Sequence, residues 1–351
     1  MDDDGIVWDC MPVDQQPGIS SKQAGEILTA PGYPADDSLT PISDRNQLFD
    51  TKDRFGNDVN CPDGHVPVKR LTLEALSQFR SLAEFNQKRP TTASLTVRDC
   101  TTLDLATADT SHRYVYIKQV TPNRGGGSIL STWQPAINSN AGQLLSLSQV
   151  WVAGGSGAQT QTIEVGWQVC PTLWNTSKPV LFIYWTADNY ASTGSYNLQG
   201  GAFVQTNNRW RLGGTLSPIS VAGGDQFDII MEWFFLNNAW WLYLNKQAVG
   251  YYPRTVFKGG VLTTGADAVL TGGETSGSHS WGAMGSGIFA QQRFGKSAYI
   301  RNARLMAMDG SIHNLNMSPC VTSPNCYSFT QGDNPAWGSS FFYGGPGGNN
   351  C

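Results

Sequence analysis

Charge is scarce in this 351-residue chain: Asp, Glu, Lys and Arg make up 14% of it, against about 25% in an ordinary soluble domain. So little charge does not suit solvent-coated amphipathic helices. The formal net charge of -4 provides no field that would draw nucleic acid or an anionic membrane. No apolar run approaches the roughly 20 residues of a membrane-spanning helix. The opening Met1-Asp2-Asp3-Asp4-Gly5 lacks the basic and apolar regions of a secretory leader. Signature motifs are missing too. There is no H-E-x-x-H, and His65, His112, His279 and His313 show no metal-ligand spacing. The seven cysteines form no C-x-x-C pair. There is no Gly-x-Ser-x-Gly elbow. Gly125-Gly126-Gly127 lacks the Lys and Ser/Thr of a phosphate loop, so it reads as a flexible connection. No metal and no cofactor are expected.

What is abundant is glycine and aromatic residues, with 39 Gly and 12 Trp. That mixture suits short strands and tight turns. SLSQVWV (146–152), TIEVGWQV (162–169), VLFIYWT (180–186), FDIIMEWFF (227–235) and WWLYL (240–244) are β-branched and aromatic runs separated by Gly, Asn and Ser. Asn237-Asn238-Ala239 reads as a hairpin loop. Successive hairpins without intervening helices predict two packed antiparallel sheets, an all-β sandwich.

Charge divides the chain in two. Residues 1–111 carry 18 acidic and 10 basic residues, whereas 112–351 carry 9 and 13. Only Trp8 of the tryptophans lies in the first part. That part reads as a small mixed domain or pro-segment. Pro12, Pro17, Pro31, Pro34 and Pro41 break its opening into turns. Leu71, Ala75, Phe79 and Leu82 predict one helix over 71–88. CPDGHVPVKR (61–70) predicts a turn and a basic strand, and Cys10 and Cys61 are candidates to staple it. The sequons Asn175-Thr176-Ser177 and Asn316-Met317-Ser318, with cysteines outside any metal pattern, point to a secreted glycoprotein whose leader precedes Met1. A cytosolic protein is the alternative.

Acid–base chemistry must draw on few groups. Residues 112–351 contain three glutamates, six aspartates and three histidines. Alternation along 162–169 puts Ile163, Val165, Trp167 and Val169 on one apolar face, and Thr162, Glu164, Gly166 and Gln168 on the other. Glu164 then reads either as a solvated strand glutamate or as a carboxylate that a substrate backbone approaches over Gly166. Glu274, in Thr271-Gly272-Gly273-Glu274, is either a turn residue or a carboxylate with open space around it. Glu232 reads as structural, half-buried or at a sheet edge. A triad using His279 and a nucleophilic Cys100 remain open on residues alone.

A longer pattern runs through the second part in one order. Its segments are LSLSQVWV (145–152), IEVGWQVCP (163–171), YWTADNYASTGSYNL (184–198), FVQTNNRWRLGGTLSPIS (203–220), VGYYP (249–253), GGE (272–274), AMGSG (283–287), FGKSAYIRN (294–302) and FFYGGPGGNNC (341–351). These resemble the neprosin family of plant-type prolyl endopeptidases, glutamic peptidases made with an N-terminal activation domain. CPDGHVPVKR resembles that domain's signature, and Trp8-Asp9-Cys10 matches it more loosely. The resemblance implies a β-sandwich peptidase domain over 112–351, with catalytic glutamates at Glu164 and Glu274. Gly166, Trp167, Gln168 and Gly273, which flank them, are the expected substrate-binding residues. It also implies cleavage after proline and an activation domain, roughly 1–111, that acts as an intramolecular inhibitor. That domain is removed in acid by a cut in the stretch leading to 112–128. Cys326 with Cys351 matches the family's C-terminal bridge, and Cys10 with Cys61 an activation-domain bridge. Cys170 and Cys320 are extra and are candidates to pair, which leaves Cys100 free. Ser195 and Gly200 stand where the family has a short disulfide loop.

The expected chemistry is that of two carboxyl groups sharing one proton, one activating water and the other donating a proton. The expected latency is electrostatic: an acidic first part docks on a basic second part until acid neutralises its carboxylates. Expected partners are Pro-containing peptides and the chain's own first part, in a monomer. The competing readings are a two-carboxylate glycoside hydrolase and a non-catalytic carbohydrate- or peptide-binding sandwich.

Overall fold

The computed structural model describes residues 5–19, 27–34, 60–77, 79–81, 84–85, 88 and 111–351. Cys100 and residues 89–110, which belong to the stretch leading to 112–128 where an activating cut was expected, lie outside the described residues. Two strands and a short helix come first: β1 (Trp8–Pro12), β2 (His65–Lys69) and α1 (Leu73–Ser77). The rest is built on β3 (His112–Ser131), β4 (Gln143–Gly154), β5 (Gln161–Val169), β6 (Val180–Thr186), β7 (Ser195–Tyr196), β8 (Val204–Gln205), β9 (Asp228–Leu236), β10 (Ala239–Leu244), β11 (Gln247–Pro253), β12 (Ala266–Gly277), β13 (Ser280–Trp281) and β14 (Ala298–Ala307).

One antiparallel sheet runs in the order β7-β6-β5-β4-β12-β3-β9-β10-β11-β8 and curls on itself into two facing halves, the expected all-β sandwich. β3 makes the turn between the halves. Its first half pairs with β12 from His112 to Asn123, and its second half pairs with β9 from Gly125 to Ser131. Gly125-Gly126-Gly127, read above as a flexible connection, is therefore the crossing point within a strand. Cβ atoms there would come within 2.1 Å of Trp233 O, 2.2 Å of Arg304 O and 2.3 Å of Glu232 Cγ. The backbones pass too closely for any side chain.

Alternation decides what fills the space between the halves. Val150, Val165, Trp167 and Ile183 face Met231, Trp233, Leu242 and Tyr252 in one core. β9 and β10 form the expected hairpin, with Asn237 and Asn238 both left-handed at φ 51° and 62°, the backbone shape that a two-residue loop between twisted strands needs.

The N-terminal part docks along the edge of the large sheet. β1 and β2 pair antiparallel, and the Cys10–Cys61 disulfide ties β1 to the segment just before β2. Gln16 extends the β8 edge: its amide nitrogen donates to Gln205 O (2.9 Å) and its oxygen accepts from Gln205 N–H (2.8 Å). The single helix expected over 71–88 does not form. α1 stops at Ser77, and Ser81 begins a new turn by accepting the Glu84 N–H at 3.1 Å, as Thr72 does for Ala75 at the start of α1. A hydroxyl that caps a backbone donor in mid-segment restarts a helix rather than continuing it. The second turn leads to Lys88.

The Cys326–Cys351 bridge forms as the resemblance implies. Cys170 and Cys320 do not pair: Cys170 is a buried free thiol, and Cys320 is bonded in another disulfide. Burial pushes the Cys170 thiol up, against the weaker opposing pull of a long contact to Thr172 Oγ1 (3.6 Å) and of the Leu173 and Thr172 backbone. Ser195 and Gly200 do stand side by side, since a Cβ on Gly200 would fall within 2.0 Å of Ser195 Oγ. Ser195 instead accepts the Trp185 indole N–H at 3.1 Å.

Candidate active site

Three neighbouring strands, β5, β4 and β12, build the site on the outer face of one half. β4 lies between the other two, and its Gln149 is opposite Gly166 on one side and Gly272 on the other. Gly166 makes room for Gln149, because a Cβ there would meet the Gln149 Cβ at 2.6 Å, whereas a Cβ on Gly272 would meet Tyr116 of β3 at 2.4 Å. Glu164 is two residues along β5 from Gly166, and Glu274 is two residues along β12 from Gly272, so both carboxylates share the outer face with Gln149.

They meet at one nitrogen. Lys88 Nζ donates to Glu164 Oε2, lies 3.6 Å from Glu274 Oε2, and donates to Gln149 Oε1 at 3.3 Å. Gln149 turns its amide nitrogen to Glu274 Oε2 at 2.9 Å, so one side chain bridges the cation and the second carboxylate. Glu164 also accepts from Tyr190 OH (2.6 Å) and Thr162 Oγ1 (3.1 Å). Glu274 Oε1 is 2.6 Å from His112 Nδ1, and His112 Nε2 is 3.4 Å from Ser276 Oγ. Lys88 is further held by its backbone N–H, which donates to Tyr184 OH at 3.1 Å, and its ammonium sits 5.8 Å from the centre of the Phe182 ring. Glu164, Glu274 and Lys88 are exposed by only 0%, 2% and 5%.

Burial at this level governs the protonation states. Burial pushes the Glu274 carboxyl up, but the Lys88 charge and the His112 hydrogen bond outweigh it and hold the carboxyl below its ordinary 4.5. Burial pushes Lys88 down, and the two glutamates outweigh it, so the ammonium is held above 10.5. Burial and then Glu164 both raise Tyr190, which keeps its hydroxyl as a donor. The cluster is thus a buried cation clamped by two carboxylates, an arrangement that persists only while every member is paired.

The expected site residues divide by face. Glu164 and Glu274, far apart in sequence, come together. Gly166 shares their face, but its missing side chain accommodates Gln149. Gln168 lies on the same face and accepts the Trp174 indole N–H at 2.9 Å. Trp167 and Gly273 correct the substrate-binding expectation. Trp167 is fully buried in the core between the sheets and donates to Ser131 O at 3.0 Å. Gly273 faces the same interior, where a Cβ would meet Tyr343 at 2.5 Å and Met284 at 2.8 Å. Each sits one residue from an outward-facing position, and a one-residue step along a strand reverses the face. His279 is an exposed turn residue, and Glu232 is fully buried rather than half-buried or at an edge. Gln149, Tyr190, His112 and Lys88 were missed. Gln149 shares the face of Leu147 and Trp151, so its alternation was readable; the other three come from remote segments and left no local signal.

A model of the family described as Neprosin matches residues 142–346, a span that contains both glutamates. The chain belongs to the Neprosin family. Among solved structures, this Neprosin-family chain is similar to a crystal structure of scytalido-glutamic peptidase with a transition state analog inhibitor. The two share 10% identity over 68% of this chain and 98% of that one, with a TM-score of 0.38. A second structure, of Scytalido-glutamic peptidase with a peptide based transition state analog, shares 8% identity over 67% and 98%, with a TM-score of 0.33.

Neprosin membership thus stands on a sequence match, and the site geometry is this chain's own. One expectation about the N-terminal part changes sign here. Among the described residues, its charged group at the glutamates is the cation Lys88 rather than a carboxylate.

Proposed function

We propose that the chain is a latent, acid-activated endopeptidase of the glutamic type that cleaves carboxy-terminal to proline. In this reading Glu164 and Glu274 are the catalytic pair, and the segment carrying Lys88 is part of an inhibitory region spanning roughly residues 1–111. Family membership supports a peptidase of the glutamic type. The observation that carries the reading to these residues is the convergence of both carboxylates on Lys88 Nζ.

With Lys88 in place, the Glu274 carboxyl is held below its ordinary range and the ammonium stands between the two side chains. The ammonium occupies the point between the carboxylates where a water must be held. Once it leaves, two close carboxyl groups titrate as a pair, with one proton between them under acidic conditions. The ionised member takes a proton from water as the oxygen attacks the peptide carbonyl carbon. The protonated member donates its proton to the carbonyl oxygen; its partner then passes the proton taken from water to the departing nitrogen as the C–N bond breaks, and a hydroxyl of the collapsing intermediate returns a proton to the first member. Gln149 and Tyr190 supply neutral donors beside the pair, placed to stabilise the developing oxyanion.

Acid is the trigger because of where the protons go. Glu274 is held below 4.5 in the closed form, so its pairing energy is complete above the ordinary carboxylate range and is lost as pH falls through the depressed value. Secretion, and glycans on Asn175 and Asn316, belong to the same proposal; both asparagines are exposed.

The test is mass spectrometry of a proline-rich protein incubated with the acid-treated chain, alongside Glu164→Gln and Glu274→Gln. Cleavage after proline that each substitution reduces by about 10²–10⁴-fold is expected. Full cleavage by either variant removes the proposed pair, and sugar release from polysaccharides without peptide cleavage favours a glycosidase.

A further inference from the structure

The opposite outer face, on β9, β10, β11 and β14, carries a second buried charge system that the chemistry above does not use. β9 directs Asp228 and Glu232 to this face, and each meets an arginine of β14. Arg301 Nε donates to Asp228 Oδ2 at 2.9 Å, and Arg304 Nε donates to Glu232 Oε1 at 2.7 Å. A strand would ordinarily turn residues three apart to opposite faces. Asn302 (φ 49°) sits at a register shift between the two arginines and resets the alternation.

The two pairs are completed differently. Tyr299, on β14 itself, donates its hydroxyl to Asp228 Oδ2 at 3.1 Å. The Glu232–Arg304 pair receives its phenol from the N-terminal part: Tyr33 OH donates to Glu232 Oε2 at 2.5 Å and accepts from Arg304. The segment around Tyr33 is held along its backbone as well. Leu28 N–H donates to Tyr251 OH at 3.1 Å, Tyr243 OH donates to Pro31 O at 3.1 Å, and the Tyr33 ring packs edge-on against Tyr243 at 5.6 Å. Leu28 and Tyr33 lie against an apolar floor that includes Phe234 and Trp241.

We propose that this face is a peptide-recognition site, separate from the Glu164–Glu274 site. It takes an extended segment of the Pro-Gly-Tyr kind with the phenol seated in the Glu232–Arg304 slot, and its occupant in the intact protein is the chain's own Leu28–Tyr33. Three features make it a built site rather than a greasy patch. A buried ion pair presents a free acceptor position to one hydroxyl, two tyrosine hydroxyls read the backbone of the segment, and an aromatic floor takes its apolar side chains. Pro31 limits the freedom the segment must give up on docking. The N-terminal part is consequently fastened on both faces of the sandwich, through Lys88 on one and Tyr33 on the other. The inference rests on this face alone and stands whether or not the chain is a peptidase.

The experiment uses the full chain at neutral pH with Leu28→Ala and Tyr33→Ala together, which vacate the slot. The ligand is a fluorescein-labelled peptide of residues 27–34, Ile-Leu-Thr-Ala-Pro-Gly-Tyr-Pro, and binding is read by fluorescence anisotropy. The vacated variant is expected to bind it, and the wild-type chain, whose slot is filled, is expected not to. Phe in place of the peptide's Tyr removes a hydrogen bond to a charged group and should weaken binding about ten- to a hundredfold. A folded variant that binds no peptide, or binds the Tyr and Phe peptides equally, overturns the proposal. Hydrogen exchange on the unmodified chain gives a readout independent of any variant. The Leu28 amide should be protected, and exchange across 28–33 as fast as in the free peptide overturns the assignment.

Discussion

Replacing Lys88 with Met keeps a long side chain in the site and removes only its charge. In the intact chain, Glu274 is held below 4.5 while Lys88 is seated, whereas with the cation gone the carboxyl titrates nearer its ordinary value. The opened form therefore binds more protons through that interval. Closure weakens by about 1.4 kcal/mol for each pH unit descended, until the depressed value is passed. The lysine's own contribution, with its ammonium held above 10.5, is complete below that range and lost only in strong alkali, so the acid limb belongs to the carboxylates. Lys88→Met leaves two buried carboxylates facing each other without a cation. Breaking a buried pair from one side costs about 3–5 kcal/mol, which at neutral pH is about a hundred- to several-thousandfold more opening. His112 and Tyr190 still contact the pair, but with Lys88 gone burial is less opposed and pushes the Glu274 carboxyl up. The closed form then holds its proton at least as tightly as the open form, and the acid dependence flattens or reverses. The assay is processing of the full chain, followed by gel and mass spectrometry from pH 3 to 7, with cleavage of a quenched Pro-containing peptide in parallel. The wild type should stay intact at neutral pH and open only below the ordinary carboxylate range. Lys88→Met should be opened across the whole range, and Lys88→Arg should resemble the wild type. Matching profiles for Lys88→Met and the wild type refute the latch.

Three further outcomes follow from the same geometry. Tyr190→Phe removes a donor 2.6 Å from Glu164, and on the proposed chemistry should lower kcat by about tenfold with a smaller change in KM. Trp167→Ala should destabilise the fold by about 3–5 kcal/mol in denaturant titration, because Trp167 is core. A selective loss of substrate affinity at unchanged stability would contradict its place between the sheets. Cys170, buried with its thiol pushed up, should resist a thiol reagent in the native protein and react fully on unfolding. Rapid native labelling would show that its cover is open.

Strand identity was legible wherever side-chain chemistry alternated over six or more residues. The run 180–186 is β6 residue for residue, and 162–169 differs from β5 by a single position. That alternation also placed Trp167 on the apolar face, so treating it as a substrate contact contradicted its own strand pattern. The helix over 71–88 failed because periodicity takes no account of capping: α1 ends at Ser77, and Ser81 satisfies the Glu84 donor to start a separate turn. The triple glycine failed for the opposite reason. Glycine marks close approach as well as flexibility, and only the partner backbones at Trp233 and Arg304 tell the two apart. Scarce charge cut the available carboxylates to a few, but Glu164 and Glu274 were singled out as a pair by the family resemblance. Lys88 was not, because nothing in the neighbourhood of a lysine at the end of a short turn tells what it will face.

The sequence by itself pointed to the sheet architecture through alternation and turn residues, to the family through its resemblance over many ordered segments, and to the two glutamates as the pair which that resemblance implies. Tertiary structure decided what stands between those glutamates. A cation from residue 88 meets carboxylates from residues 164 and 274 only when three strands and a docked segment share one dry face, and a charge held out of water takes its properties from its neighbours in space rather than in sequence.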